Sequence, residues 1–244
     1  RTSAEYQGDL KLGTFGLLTF GAKFERERFL TTARDVLPFA TPWRETNDAS
    51  RDTRSIYALH QISLFENLHL SFGARLDAIE HEDSFGTWRA TAAYEVPNSS
   101  TTLRASIGTG AKAPSLFQLY DPLYGTPGLE PERSIGADIG IDQRLLDDRL
   151  TLSATFFANR FRDLIDFSFS PGDCPPGNLY GCYLNVARAR TSGIELSADA
   201  EIVPSLLRVK AVYTHTDAFD LATHLRLARR PQDEGRLGLI ITPT

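Results

Sequence analysis

Few residues in this chain could do covalent or coordination chemistry. Its two cysteines, Cys174 and Cys182, fall in one turn-rich stretch, Pro171-Gly-Asp-Cys-Pro-Pro-Gly-Asn-Leu-Tyr-Gly-Cys182. A loop that short is easily closed by a disulfide, which implies an oxidising compartment, with two free thiols as the alternative. A metal site would need a further pair of soft ligands that the stretch lacks. The five histidines, His60, His69, His81, His215 and His224, are scattered. His215-Thr-Asp217 puts two possible ligands on one strand face without a third at metal spacing. There is no Gly-x-Ser-x-Gly and no Ser/His/Asp grouping, so no nucleophile is paired with a base and no catalysis is assigned. Neither a metal nor a cofactor is expected. What remains is the chemistry of charged and aromatic surfaces.

Those charges sit in a strict order. Leu68 to Ala78 alternates apolar residues at even positions with polar, charged or Gly residues at odd ones, including Arg75 and Asp77. Such a strand has one dry face and one wet face. The same dyad runs through Leu18 to Phe24, Leu103 to Ile107, Ala137 to Ile141, Leu150 to Ala158, Ile194 to Ile202 and Leu207 to Tyr213. Less regular strands are read at Ala4 to Leu10, Thr53 to Phe65, Thr87 to Val96 and from Gln232 onward, about eleven in all. The 244 residues show no linker or shift in composition and are read as one unit, 1–244. No apolar run approaches the ~20 residues of a spanning helix. The net charge of −5, with no Lys/Arg cluster in the sequence, argues against a nucleic-acid partner.

The connections alternate in length. Glu66-Asn67, Pro97 to Ser100, Leu146 to Arg149 and Val203 to Ser205 are tight, whereas Thr32 to Arg51, Ala111 to Arg133, Phe169 to Cys182 and Phe219 to Arg230 are long. Asp83 to Gly86 is the one short link where a long one is due. An up-and-down barrel in a bacterial outer membrane has this rhythm, with short periplasmic turns and long outer loops. A soluble sandwich or small barrel would also alternate, but its core would be filled by too many alanines (Ala74, Ala105, Ala137, Ala154, Ala158, Ala198). Turned inside out, the pattern gives a lipid-facing apolar band around a lumen lined by Arg75, Asp77, Arg104, Glu195, Asp199, Arg208 and Lys210. Ions are costly in a dry core and tolerable in a wet lumen. The expected fold is therefore all-β, an antiparallel up-and-down transmembrane β-barrel.

Gly108-Thr-Gly-Ala-Lys-Ala-Pro-Ser115 leaves one strand and Leu129-Glu-Pro-Glu-Arg-Ser134 enters the next. Together they resemble the paired signature of TonB-dependent outer-membrane receptors. Phe156-Phe-Ala-Asn-Arg-Phe-Arg-Asp-Leu-Ile165, Tyr183-Leu-Asn-Val-Ala187 and Ala189-Arg-Thr-Ser-Gly-Ile-Glu195 fit the same family in the same order. The spacing looks most like the cobalamin-receptor-like branch, which also contains siderophore receptors. Ala111 stands where an aromatic is usual, and Gly125-Thr-Pro-Gly128 where Gly-Asn-Pro is common. Physically, Pro114 and Pro131 remove backbone donors and stop sheet pairing at the two loop ends, so the motif is read as shaping a strand-loop-strand unit.

The resemblance implies a 22-stranded barrel holding an N-terminal plug, energised by TonB. Neither plug nor TonB box is visible and about eleven strands are counted, so the chain is expected to be a barrel piece lacking the plug and the final strands. It further implies import of a metal chelate, such as cobalamin, a ferric siderophore or haem. The aromatic residues Phe117, Tyr120 and Tyr124 of the loop, with Tyr180 and Tyr183 beside the expected disulfide, suit its capture; for any one of them, packing its loop against neighbours is the more ordinary role. Outer-membrane lipid and TonB are the other expected partners. A passive pore or adhesin of the same architecture is the competing reading, and an outer-membrane hydrolase a third.

Overall fold

The computed structural model describes residues 1–35, 43–80, 82–176, 178, 180–227 and 230–242. His81 and the middle of the Thr32 to Arg51 link lie outside them. The dyad segments become eleven antiparallel strands: β1 Thr2–Lys11, β2 Leu17–Asp35, β3 Trp43–Leu64, β4 Leu68–Ile79, β5 Phe85–Glu95, β6 Thr101–Lys112, β7 Glu132–Leu145, β8 Leu150–Ser168, β9 Cys182–Val203, β10 Leu207–Asp220 and β11 Asp233–Ile241. They form one sheet in sequence order, each strand bonded only to its chain neighbours, with β1 and β11 as open edges. One short helix, α1 Leu116–Tyr120, lies in the link between β6 and β7. Ser115 caps it, accepting from the Gln118 N–H while the Gln118 side chain accepts from the Ser115 N–H.

The even-numbered face of β4 is the exposed one. Phe72, Ala74 and Leu76 face outward while Asp77 keeps only 7% of its surface. Other strands repeat this: Ile56 of β3, Ile139 of β7, Phe156 of β8 and Ile194 of β9 are exposed, and Ser55, Glu25 and Arg51 are buried. Water would favour the reverse arrangement. A sheet that shows its greasy side and shelters its ions is built for hydrocarbon outside and a polar interior.

Five short links lie at one edge, 12–16, 65–67, 96–100, 146–149 and 204–206, and the short link 80–84 is the exception at the other. Several of them turn through residues in the left-handed region, among them Phe65, Glu66, Asn98, Asp147 and Ser205. That hand matches the twist of the flanking strands and lets a hairpin close in few residues. The opposite edge carries the links 80–84, 113–131, 169–181 and 221–232. The Thr32 to Arg51 link, expected as a long loop, is mostly hairpin. β2 and β3 pair in register to Asp35↔Trp43, well beyond the end of β4 at Ile79, which pairs with Thr53. The dyad fades there because the outer face turns charged, with Arg26 on Asp52 and Arg28 on Asp48, while the backbone ladder continues regardless.

Candidate functional site at the long-link edge

The link 113–131 leaves β6 yet packs on β2 and β3, several strands away. Phe117 of α1 meets Phe29 of β2 edge to face at 5.8 Å. The Tyr120 carbonyl accepts from the Asn47 side chain of β3 at 2.5 Å, and the Pro114 carbonyl accepts from Arg51 of β3 at 2.7 Å. On its other side the link reaches β9 and the link before it: Tyr183 donates its N–H to the Tyr124 carbonyl at 3.2 Å, and Asn178 donates to the Gly125 carbonyl at 3.0 Å. One segment therefore bridges from β3 to β9 across the mouth of the curled sheet. That reach is possible because the sheet curves.

Arg51 anchors one end. It is buried on the polar face and also donates to Glu27 of β2 at 2.6 Å and to Glu82 of the 80–84 link at 3.0 Å. Three separate elements thus share one guanidinium, whose fork can serve several acceptors at once. Sequence reading missed it, because Arg51 sits in the stretch read as loop. Tolerance of a burial so complete needs the two carboxylates beside it.

Aromatic rings fill the other end. Phe117 contacts Tyr183 at 5.9 Å, Tyr183 contacts Phe167 at 5.2 Å, and Phe167 contacts Tyr124 at 5.6 Å and Phe169 at 4.9 Å, all edge to face. Such pairs each add about 0.5–1.5 kcal/mol beyond burial. Of the five aromatic residues singled out in the sequence, Phe117, Tyr124 and Tyr183 come together in this cluster. Tyr120 contributes its carbonyl, and Tyr180 stays 53% exposed. A disulfide joins Cys174 to Cys182, with Cα atoms 5.7 Å apart and Cys182 fully buried. It ties the 169–181 link to the first residue of β9, beside Tyr183.

The signature residues explain each other. β8 bulges between Phe161 and Leu164, where Asp163 turns into the left-handed region, and its pairing with β9 slips there. A bulge frees backbone groups that must find partners. Glu132 of β7 accepts from the Ile165 N–H at 2.9 Å and pairs with Lys112 at 2.9 Å. Asn185 donates to the Asp163 carbonyl at 2.7 Å and exchanges hydrogen bonds with Glu130. The motif thus serves architecture, as the sequence suggested. At the 221–232 link, the Thr223 and Ala222 N–H groups donate to the Asp220 carboxylate, at 2.9 and 2.7 Å.

Farther down the polar face, ions pair in ladders. Arg75 grips Asp77 and Ser55 at 2.8 Å, and Arg75 lies over the Tyr57 ring. Arg104 donates to Asp142 at 2.5 Å and Thr155 at 3.1 Å, and Arg208 to Asp199 at 2.5 Å, with Lys210 3.5 Å from the same carboxylate. Glu195 is exposed, opposite Thr155 and Thr214.

Known proteins share this design. A sequence model of the family described as TonB dependent receptor-like, beta-barrel matches residues 1–242. The chain is 29% identical to the Vitamin B12 transporter BtuB of Photobacterium profundum over 76% of its own length and 29% of that protein's. It is 30% identical to an iron-regulated outer membrane virulence protein of Vibrio cholerae over 64% of its length and 26% of that protein's. The copper transporter OprC superposes with a TM-score of 0.79 at 16% identity, covering 99% of this chain and 42% of OprC. The ferripyoverdine receptor of Pseudomonas aeruginosa does so at 0.72 and 18% identity, over 97% of this chain and 35% of the receptor. Three of these are named as transporters or receptors rather than enzymes, and the chain spans less than a third of the length of the curated relatives. The chain belongs to the TonB-dependent receptor-like β-barrel family of the Gram-negative outer membrane.

Proposed function

We propose that this chain is the barrel part of an active importer that captures a bulky metal chelate at its outer loops and admits it with energy from TonB. The bridge 113–131 carries the reading. It holds Phe117 and Tyr124, with Tyr183 from β9, over the mouth of a polar-lined sheet. Broad amphipathic rings suit a large chelate with an apolar rim and polar groups. The related vitamin B12 transporter and the ferripyoverdine receptor support cobalamin or a ferric siderophore as the class, with haem as a further candidate.

In this reading the short-link edge faces the periplasm, and Arg75, Asp77, Arg104, Glu195, Asp199, Arg208 and Lys210 line a hydrated lumen. Coupling to TonB runs through a plug domain filling that lumen. Aromatic and polar loop residues make the first contact, and rearrangement of the plug opens the path.

The test is uptake by a receptor-deleted strain complemented with the full-length gene, supplied in turn with cobalamin, ferric siderophores or haem as sole source. Growth on one of them that disappears when TonB is deleted is expected. Equal growth without TonB would replace the importer with a passive pore, and cell adhesion without uptake would indicate an adhesin. Within the importer, Phe117→Ala with Tyr183→Ala should raise the ligand concentration for half-maximal uptake at least tenfold.

A further inference from the structure

On the outward face, the apolar rows end in arginines. Ile139, Phe156 and Ile194 form one cross-strand row, followed toward the long-link edge by Ala137, Ala158 and Ser192. The next row brings Ile135 against Arg160 and Arg160 against Arg190, and beyond it Arg133 stands opposite Arg162. Arg188 follows Arg190 on the same face of β9. Two directly opposed like-charge pairs, Arg160–Arg190 and Arg133–Arg162, are thus stacked side by side. Unrelieved, such pairs weaken a sheet.

Little among the described residues relieves them. Among the described residues no carboxylate lies within ion-pair distance of Arg133, Arg160, Arg188 or Arg190, and Arg162 has only Asp163 at 3.8 Å. Asp217, an acid on the same outward face of β10, is engaged by Arg226 at 3.0 Å. Arg190 and Arg226 both lie against the Phe219 ring. An open groove of about 590 Å³ gathers Arg133, Arg160, Arg162 and Arg188 around Ile135, with Trp88 on its wall. Trp88 is the kind of aromatic that marks the membrane boundary of such barrels.

We propose that this groove binds the phosphate groups of an anionic glycolipid in the outer leaflet, the lipopolysaccharide of the outer membrane. Guanidinium forks match phosphate oxygens in pairs. The position favours a lipid over a soluble anion, since the groove opens on the hydrocarbon-facing side and its lower wall continues the apolar rows that would hold acyl chains. The proposal rests on the long-link edge facing the cell exterior.

The test uses the full-length receptor in detergent, titrated with bisphosphorylated lipid A, with the same lipid after phosphatase treatment, and with inorganic phosphate as competitor. Wild-type protein should bind the phosphorylated lipid at least tenfold more tightly than the dephosphorylated one, and millimolar inorganic phosphate should not displace it. The variant R133Q/R160Q/R188Q should lose that discrimination while remaining a folded, heat-modifiable barrel, and R133K/R160K/R188K should recover part of it. Equal affinity of the wild type for both lipids would overturn the proposal. So would displacement by inorganic phosphate at matched concentration, which would mark a general anion site. Impermeant labelling of a cysteine placed in the 221–232 link on whole cells separately checks which edge is outside.

Discussion

Asn185 of β9 and Glu130 of the bridging segment exchange two hydrogen bonds. The Glu130 N–H donates to the Asn185 carboxamide oxygen at 2.8 Å, and the Asn185 amide donates back to the Glu130 carbonyl at 2.9 Å. The same amide also reaches the Asp163 carbonyl at the β8 bulge, 2.7 Å away. One side chain thereby joins the bridge, the bulge and β9. Asn185→Ala should forfeit these bonds at about 0.5–1.5 kcal/mol each. Because the strand ladders are untouched, the loss is local: protease should cleave 113–131 at least tenfold faster while the barrel stays folded. An unchanged cleavage rate would mean that the bridge is held by its other anchors.

The Cys174–Cys182 disulfide closes a short loop, eight residues apart in sequence. On the chain-entropy account its loss destabilises that loop by about 2–3 kcal/mol. The double variant C174S/C182S should keep the barrel and weaken ligand capture, because Tyr183 loses its rigid neighbour. Unreduced protein should show no maleimide-reactive thiol, and labelling of both cysteines before reduction would contradict the bond.

Gly193 occupies the Ala189 to Glu195 signature for a steric reason. A Cβ there would lie 2.0 Å from the His215 carbonyl oxygen on β10 and 2.8 Å from the Phe157 ring on β8. Gly193→Ala should therefore cost at least about 1–3 kcal/mol of overpacking and lower the folded fraction in a urea titration. Gly235→Ala is the control, since a Cβ at that position meets nothing within 4 Å.

Ile139 is 62% exposed on the outward face of β7, whereas Ser197 lies on the opposite face of β9. In a bilayer, Ile139→Arg should cost about 2–4 kcal/mol if it lies near the midplane. Ser197→Arg should stay within about 0.5 kcal/mol, as a substitution in a polar, solvated setting. Folding into vesicles under a urea gradient measures both, and equal costs would refute the assignment of faces.

Much of this was readable before any coordinates. The dyad in Leu68 to Ala78 marks β4 almost to the residue, since alternate side chains of any extended strand point to opposite sides. The eleven strands and their short links emerge as expected. The β2–β3 hairpin was less legible: its far end carries charge on both faces, so periodicity vanishes where pairing does not. Among the aromatics, Phe117, Tyr124 and Tyr183 converge, but Phe29 and Phe167, equally part of the cluster, lay beyond the segments read as strands and were not singled out. Arg51 and Asn47 gave no signal, because the carbonyls of the bridge that they hold, Pro114 and Tyr120, are 63 and 73 residues away.

By itself, then, the sequence determined the period, the chemistry of each face, the rhythm of the links and the family signature. All are local properties, carried within a strand or one turn. Only the tertiary structure decided that the bridge from β6 reaches β3 and β9, that Glu132 and Asn185 mend the bulge at Asp163, and that five arginines from three strands share one outward patch. Those neighbours depend on curvature and register accumulated over many strands. A shift of a single residue in any one pairing would send the side chains to the opposite face.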